Sequence, residues 1–313
     1  MSDRGESGRV LVAGAINTDL VARVRAAPAA GETVTGLGFA VFGGGKGANQ
    51  AVAAARSGAP TAMLGAVGRD DFGRQRLADL VNEGIDVASV AEVDDAASGV
   101  ALIVVEERTG QNRIAYVPGA TLGVLPEGAC ASVRRVRPAV LLATLELPIA
   151  TLDALLGVAR ELGVMTVVNA APESAAGRAL LARIDLLIVN ETEAGDLLGR
   201  PVGSESGSEA ALALAALGPP TVVVTLGAAG AVVAHAGVAT LLPAPTVAVV
   251  DTTGAGDAFC GAAAARLAAG DDALAAAAAG VVAGSLAATR AGAQPSMPTR
   301  EAVDRLAAAS RTP

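Results

Sequence analysis

The chain has 313 residues, of which 52% are hydrophobic and only 17% are charged, and its formal net charge is −8 at pH 7. This composition excludes an intrinsically disordered chain, which needs low hydrophobicity together with high net charge. The excess of acidic residues also leaves no electrostatic footprint for nucleic acid or anionic lipid, so neither is expected as a partner.

The chain begins with a polar and charged stretch, residues 1–9, which is unlike a secretory signal. The longest apolar stretch, residues 274–288, is shorter than the ~20 residues that a membrane span needs. Two cysteines, Cys130 and Cys260, lie far apart without metal-ligand spacing, which favours free thiols in a reducing compartment. We therefore expect a cytoplasmic protein that does not enter the membrane.

Short apolar runs alternate with helical stretches in the first hundred residues. The predicted elements here are strands over residues 9–14, 20–24, 33–42 and 62–67, and helices over residues 47–57 and 70–83. This alternation of strands and helices is then interrupted, because residues 100–105 and 113–117 flank a charged turn and are typical of a β-hairpin. We expect strands within about 15–42 and 98–118 to form a small sheet outside the main one, which is a candidate lid.

The alternation of strands and helices resumes from residue 140. The predicted elements are strands over residues 140–145, 164–169, 186–189 and 221–225, and alanine-rich helices over residues 257–269, 272–288 and 300–309. Residues 203–209 (GSESGSE) are predicted to be a flexible surface loop and not a domain linker. Such alternation is typical of a parallel sheet with crossover helices, so we predict a single α/β domain over residues 1–313.

The clearest chemical motif is DTTGAGDAF, residues 251–259, in which a β-rich run at 246–250 leads into Gly254 and Gly256 and then a helix. Glycines let successive N–H groups point into one space, and a helix adds its unpaired N-terminal amides. The segment therefore predicts an anion cradle suited to phosphoryl transfer. Asp257 beside it is placed to take a proton from an attacking hydroxyl. An isolated Asp at such a position is more often only a helix cap.

Two familiar nucleotide-binding motifs are excluded. A Walker A loop needs Gly-x4-Gly-Lys-Ser/Thr, but Lys46 is followed by Gly47 and the first glycine position holds Ala40. A dinucleotide fingerprint needs Gly-x-Gly-x-x-Gly, and its last position here is Phe259. A hydride-transferring enzyme is therefore a poor fit.

A second glycine-rich motif, GGGKGANQ at residues 43–50, lies at a predicted strand-to-helix junction. Its glycines allow a ligand to approach the backbone closely. Lys46 supplies a flexible cation with three donors, and Asn49 offers both a donor and an acceptor. This array suits a polyhydroxylated molecule, although a simple turn with a solvated lysine gives the same pattern.

Polar or glycine-rich positions also follow four predicted strands. They are Asn17 with Asp19, Glu146, Asn190 with Glu193, and residues 225–230 (TLGAAG). Open α/β sheets bind ligands at the carboxyl ends of their strands. We therefore expect these positions and the glycine-rich motifs to form one site at that edge of the sheet.

Together these residues resemble the ribokinase family of sugar kinases, a group that also includes fructokinases and adenosine kinases. The match extends from about residue 9 to residue 305. Its motifs are GAINTDL (14–20), GETVTG (31–36), GGKGANQAVAAARSGA (44–59), TLELP (144–148), NETEA (190–194), TLGAAG, DTTGAGDAF and GAQPSMP (292–298). The resemblance implies a ribokinase-like fold, with a mostly parallel sheet flanked by helices and a β-sheet lid that pairs two chains as a homodimer. It also implies ATP-dependent phosphorylation of the primary hydroxyl of D-ribose, with Mg²⁺ required and K⁺ activating.

The resemblance assigns roles to individual residues, with Asp257 as the general base. The sugar-binding residues that it implies are Asn17, Asp19, Gly45, Lys46, Gly47, Ala48, Asn49, Glu146 and Asp257. The residues that it places around ATP are Asn190, Glu193, Thr225, Leu226, Gly227, Ala228, Ala229, Gly230, Gly254, Gly256 and Val281. Asn190 and Glu193 would also hold the magnesium shell through water. The residues around K⁺ would be Asp251, Thr253, Ala287, Arg290, Gly292 and Ser296, several through backbone carbonyls.

Other assignments stay open at this point. One is a related kinase of another sugar or a nucleoside, such as 2-deoxyribose, fructose or adenosine, and a changed residue in place of Asn17 or Asp19 would be its expected sign. Another is a catalytically silent sugar-binding protein, which would have lost Asp257 or the glycine cradle. The alanines of TLGAAG and Val281 depart from the family pattern, so the nucleotide contacts are less predictable than the sugar contacts.

Overall fold

The chain alternates strands and helices along most of its length, in a computed structural model that describes residues 8–172 and 175–310. The strands are β1 (Val10–Ala13), β2 (Asn17–Val24), β3 (Gly36–Gly44), β4 (Thr61–Gly68), β5 (Asp86–Val93), β6 (Gly99–Glu106), β7 (Asn112–Val117), β8 (Val140–Thr144), β9 (Met165–Asn169), β10 (Leu186–Asn190), β11 (Thr221–Thr225), β12 (Ala231–His235) and β13 (Val238–Leu242). The helices are α1 (Lys46–Arg56), α2 (Asp71–Asn82), α3 (Pro126–Val136), α4 (Ile149–Leu162), α5 (Glu191–Leu198), α6 (Gly207–Ala215), α7 (Ala255–Ala268), α8 (Ala273–Ala287) and α9 (Arg300–Ala309).

Nine strands form one large sheet in the order β13-β12-β11-β10-β9-β8-β1-β4-β5, and only the β11–β12 and β12–β13 pairs are antiparallel. The central strand β1 is wholly buried because both faces are covered. Val10 and Val12 pack into a core with α1, α7 and α8, whereas Leu11 and Ala13 pack into a second core with α3, α4 and α6. The predicted α/β class, with a mostly parallel sheet between helices, is confirmed.

A separate four-stranded sheet has the order β3-β2-β6-β7. Strands β6 and β7 form the predicted antiparallel hairpin, and β6 also pairs in parallel with β2. The small sheet predicted where the strand–helix alternation is interrupted is therefore present. It exposes several large apolar side chains, of which Phe39 is 69% exposed and Ile114 is 57% exposed.

Three local predictions need correction. Residues 246–250 are not a strand, because they pair with no strand of either sheet, and Val249 is 63% exposed. Residues 203–209 are not simply a loop, since they contain a short 3-10 turn and the start of α6 at Gly207. Strand β5 was not predicted, because an edge strand with little buried apolar surface lacks the expected pattern.

The helices next to the site pack closely through small residues. A Cβ at Gly261 of α7 would lie 2.5 Å from Ala53 Cβ of α1, and a Cβ at Gly280 of α8 would lie 2.9 Å from the ring of Phe259. This agrees with a core that is nearly free of aromatic residues and is built from closely spaced alanine-rich elements. Within the described ranges, no helix is both long and apolar enough to cross a membrane.

Candidate active site

The positions predicted to form a ligand site lie together at the carboxyl ends of the large sheet. Glu146 follows β8, while Asn190 and Thr225 end β10 and β11. Asn17 follows β1 and begins β2, so it belongs to the small sheet as well. The first two glycines of GGGKGANQ, Gly43 and Gly44, end β3, which is a strand of the small sheet and not of the large one. The site therefore combines residues of both sheets.

Asp257 lies in the first turn of α7, where Gly254 at positive φ (79°) ends the preceding loop. Its side chain is buried, with the residue 8% exposed, and Asn49 Nδ2 donates to its Oδ2 at 2.9 Å. Gln50 Nε2 donates to its Oδ1 at 2.9 Å. Burial raises the pKa of the Asp257 carboxyl, and the Lys46 cation and these two amides partly offset that rise. The group is thus a buried carboxylate whose hydrogen bonds favour its charged form.

Two buried asparagines leave their carbonyl oxygens without partners. Asn17 Oδ1 and Asn49 Oδ1 accept no hydrogen bond within the described part of the chain. A Cβ at Gly99 would lie 2.2 Å from Asn17 Oδ1, and one at Gly44 would lie 2.2 Å from Asp19 Oδ1. Glycine at both positions makes room for the polar side chains. Buried acceptors need donors, which the hydroxyl groups of a polyol supply.

Asp19 is a third polar group beside these asparagines. Burial raises the pKa of its carboxyl to about 6, against the lowering effect of Arg76, and the charges of Asp257 and Glu146 add to the rise. Arg76 is itself a buried cation, with its side chain 9% exposed and its Nη2 2.7 Å from Asp79 Oδ2. Its Nε and Nη1 have no partner among the residues described. The guanidinium therefore favours the ionised form of Asp19.

Tyr116 lies on the same part of the small sheet. The strand register places it in one row with Ala101, Asp19 and Phe42. Burial raises the pKa of its hydroxyl, and the neighbouring polar side chains of Asn17 and Thr121 partly offset that rise. The row extends the polar cluster to the outer strand β7.

Glu146 organises the backbone around this cluster. Its Oε2 accepts from the N–H of Ala15 at 2.9 Å, from the N–H of Gly47 at 3.0 Å and from Thr144 Oγ1 at 2.9 Å. Its Oε1 accepts from the N–H of Lys46 at 3.0 Å. Burial raises the pKa of the carboxyl, and these hydrogen bonds partly offset that rise. One side chain thus ties three separate segments together.

A cavity of about 230 Å³ extends from Asp257 to the ends of β10 and β11, and Lys46, Asn190 and Glu193 line it. Asn190 Oδ1 accepts from the N–H of Glu193, and Glu193 Oε2 accepts from the N–H of Asn190, both at 2.8 Å, which forms a capping box. Burial lowers the pKa of Lys46, but the carboxylates of Asp257, Glu193 and Glu146 outweigh this effect and raise it. The cavity therefore holds a firmly charged cation next to the α7 N-terminus, an arrangement that attracts anions.

A second cavity of about 370 Å³ adjoins the first, and Thr225, Thr252 and Gly256 line both. Of the predicted nucleotide positions, it is lined by Thr225, Gly227, Ala228, Gly230, Gly256 and Val281. Leu226 is buried and Ala229 is exposed, and neither lines it, whereas Gly254 lines the first cavity. The sequence reasoning missed Ala244, Pro245, Thr246, Val247, Val249, Thr252, Phe259, Gly284, Ser285 and Ala288. They are mostly small or apolar, so no chemical signal in the sequence marks them, but the cavity matches an apolar ring system.

The six positions predicted to surround K⁺ lie in two neighbouring segments. Asp251 Oδ1 accepts from the N–H and Oγ1 of Thr253 at 2.9 and 2.7 Å, and its Oδ2 accepts from the N–H of Gly292 at 2.9 Å. The carbonyl of Ala287 accepts from the N–H of Arg290, and the buried Ser296 hydroxyl donates to Ala293. One carboxylate among backbone carbonyls is a set of hard oxygen donors, which fits a hard cation.

No cluster of three or more His, Cys, Asp or Glu side chains that would hold a metal ion unaided occurs within residues 8–172 and 175–310. Mg²⁺ in phosphate sites usually binds one or two carboxylates, substrate phosphates and several waters. Glu193, in the cavity next to Asp257, supplies a carboxylate of this kind. The residues present therefore fit Mg²⁺ that arrives with a phosphorylated ligand.

Residues 7–300 match the pfkB family of carbohydrate kinases. The chain is similar to the ribokinase of Schizosaccharomyces pombe, at 36% identity over 307 residues that cover 94% of this chain and 96% of that protein. It is similar to the ribokinase of Bacillus subtilis, at 36% identity over 298 residues that cover 95% and 98%. The Arabidopsis thaliana ribokinase complexed with ribose and ATP superposes with a TM-score of 0.88 at 30% identity, covering 96% of this chain and 99% of that one. The chain therefore belongs to the pfkB family of carbohydrate kinases, which confirms the resemblance of its motifs.

Proposed function

We propose that the chain transfers the terminal phosphoryl group of ATP to the primary 5-hydroxyl of D-ribose, giving D-ribose 5-phosphate and ADP. The observation that carries this assignment is the position of Asp257. Its Oδ2 is 2.9 Å from Asn49 Nδ2 in the cluster of unpartnered acceptors, and the same residue lines the cavity of Lys46 and Glu193. The similarity to ribokinases over nearly the whole chain supports ribose as the sugar.

The residues divide the reaction between them. Asn17, Asp19 and Asn49 bind the sugar hydroxyls and orient the 5-hydroxyl towards Asp257. The Asp257 carboxylate takes the hydroxyl proton as the new O–P bond forms and the bond from the γ-phosphorus to the β,γ-bridging oxygen of ATP breaks, so that ADP leaves with that electron pair. Lys46 and the amides at the start of α7 stabilise the negative charge on the phosphoryl oxygens.

The adenine base of ATP occupies the apolar cavity beside Val281, and the ATP phosphates extend towards Gly254 and Gly256. Asn190 and Glu193 would hold Mg²⁺ through water, where the ion would neutralise phosphate charge. K⁺ would lie among the carbonyls beside Asp251 and would stabilise the loop that shapes the anion cradle.

The test of the function is ADP release from ATP and Mg²⁺ with ribose, 2-deoxyribose, fructose and adenosine, each with and without K⁺. We expect turnover with ribose to exceed that with the others and to rise when K⁺ is added. If another of the four compounds is turned over preferentially, the kinase assignment stands and that compound replaces ribose as the substrate. Absence of turnover with all four would contradict the proposal and favour a sugar-binding protein.

The pH dependence of the sugar KM is a second expected result. Because the pKa of Asp19 is about 6, its carboxylate is ionised above that pH and takes up a proton below it. The ionised form accepts hydrogen bonds from sugar hydroxyls more strongly than the protonated form does, so KM for ribose should rise, by at most about tenfold per pH unit, below pH 6. Steady-state kinetics from pH 5 to 8 measures this, and Asp19→Asn is the control that should remove the rise. A rise that persists in Asp19→Asn would assign the titration to another group.

We also propose that the whole chain is one kinase domain in which the small sheet is the lid, and that two lids pair in a homodimer. The exposed apolar side chains Leu37, Phe39, Leu102 and Ile114 support this pairing, since such side chains are enriched at interfaces. Sedimentation equilibrium would give the mass of two chains, and a single-chain mass would contradict the homodimer.

A cytoplasmic location is proposed as well, supported by the free thiols of Cys130 and Cys260.

A further inference from the structure

Gln50 lies behind the carboxylate of Asp257 and is not part of the wall of either cavity. It belongs to the second turn of α1, and it is wholly buried, with 0% exposure. The close packing of α1 on α7 at Gly261 places this turn next to Asp257, since a Cβ at Gly261 would lie 2.5 Å from the Gln50 carbonyl oxygen. Gln50 therefore reaches Asp257 from the protein interior.

The amide of Gln50 has two acceptors. Its Nε2 donates to Asp257 Oδ1 at 2.9 Å and to Asn169 Oδ1 at 3.0 Å. Asn169, at the end of β9, in turn donates from Nδ2 to the carbonyl of Ile188 in β10 at 3.2 Å. The position of the Asp257 carboxylate is thus fixed through Gln50 and Asn169 to two strands of the large sheet.

The orientation of this amide leaves one atom unsatisfied. Gln50 Oε1 is buried and has no hydrogen-bond partner among the described residues. The opposite orientation would place Oε1 against the oxygens of Asp257 and Asn169, which would repel it. Leaving Gln50 Oε1 buried and unpaired is destabilising. This orientation nevertheless keeps the Gln50 Nε2 donor on the Asp257 carboxylate.

We propose that Gln50 is a positioning residue for phosphoryl transfer, which holds the carboxylate of Asp257 in the orientation and charge state that a base needs. Asn49 and Gln50 each give one hydrogen bond to a different oxygen, so rotation of the carboxylate is blocked. Both donors favour the ionised carboxylate. The inference rests on the proposed function, because it concerns the same base.

Other charges also act on Asp257. Lys46 from α1 favours its ionised form, whereas Asp19 from β2 and Glu193 from α5 oppose it. The Cys260 thiol, one turn further along α7, is buried and its pKa is raised well above the ordinary value, so it is neutral. Since these groups are the same in a Gln50 variant, a change in the pH profile on substitution reports the lost amide.

The test is Gln50→Met, which keeps the length of the side chain and removes its donor. We expect kcat with ribose to fall by about tenfold or more and the acidic limb of the kcat profile to move up by about one pH unit. The KM for ribose should stay within about twofold, since Gln50 is wholly buried and its amide nitrogen donates to Asp257 and Asn169. Gln111→Met in the exposed turn between β6 and β7 is the matched control and should leave all three quantities unchanged.

If Gln50→Met loses kcat but the acidic limb of its kcat–pH profile does not move, the proposal is overturned. That pattern is what we would expect if Gln50 only stabilised the fold. Thermal melting of each variant shows whether it is folded. If Gln50→Met does not fold, Gln50→Glu, which is nearly equal in size to the natural residue, replaces it. The acidic limb of its kcat profile should move up further, because the introduced carboxyl group and that of Asp257 then share a proton. An unmoved limb in that variant also contradicts the proposal. Failure of the unmodified enzyme to phosphorylate ribose would instead contradict the proposed function.

Discussion

Replacement of Asp257 by asparagine is expected to lower kcat with ribose by about 10²- to 10⁴-fold, the range that a positioned general base contributes. The amide cannot take the hydroxyl proton. Ribose binding should persist, because Asn17 and Asp19 are unchanged and Asn49 can rotate its unpartnered Oδ1 towards the new amide. Calorimetric titration of ribose together with ADP release under saturating substrates measures both quantities.

The matched control for this substitution is Asp304→Asn, which makes the same chemical change on the exposed face of α9. It should retain the kcat of the unmodified enzyme. An Asp257→Asn enzyme with nearly full turnover would show that the base is another group. Loss of ribose binding in a folded Asp257→Asn protein would show that the carboxylate serves mainly to bind the sugar.

Removal of the Glu146 carboxylate should have the largest effect on sugar binding. Glu146→Leu leaves three backbone N–H groups and the Thr144 hydroxyl without their acceptor, at about 1–3 kcal/mol for each donor that stays buried. The turn at Ala15 and the segment at Lys46 and Gly47 then lose their common anchor. We expect the KM for ribose to rise by about 100-fold or more and the melting temperature to fall.

A graded series separates anchoring from charge. Glu146→Gln keeps one acceptor oxygen but turns an NH₂ group towards one of the donors, so it should lie between the unmodified enzyme and Glu146→Leu in both KM and melting temperature. Glu161→Leu, which removes an exposed carboxylate that pairs with Arg134, is the control and should change neither. A Glu146→Leu enzyme with unchanged KM and melting temperature would disprove the anchoring role.

The parts of the site that the sequence predicted are those fixed by local motifs. The glycines before α7 and the Asp in its first turn form a loop-to-helix unit within nine residues, so Asp257 and its cradle could be located without the fold. The same holds for Lys46 and Asn49 at the start of α1. In both segments, residue type and spacing determine the local backbone, and the alternation of elements brings their ends to one edge of the sheet.

The parts that could not be predicted depend on contacts between distant segments. Gln50 meets Asp257 across 207 residues of sequence, and a glutamine on a helix ordinarily indicates a solvated face. Arg76 on α2 is likewise buried, although no local motif in the sequence marks it. Residues 246–250 have a β-rich sequence, yet Thr246, Val247 and Val249 line the larger cavity, because a short apolar run alone does not show whether a strand is available to pair with it.

Tyr116 gives this protein an optical property of practical value. The chain contains no tryptophan and a single tyrosine, and that tyrosine lies on the small sheet with its hydroxyl against Asn17. Tyrosine emission from the unmodified protein therefore comes from one known point beside the sugar cluster. Ribose and ATP can be titrated separately against that signal, so the order in which each ligand changes the surroundings of the small sheet can be followed without any introduced dye.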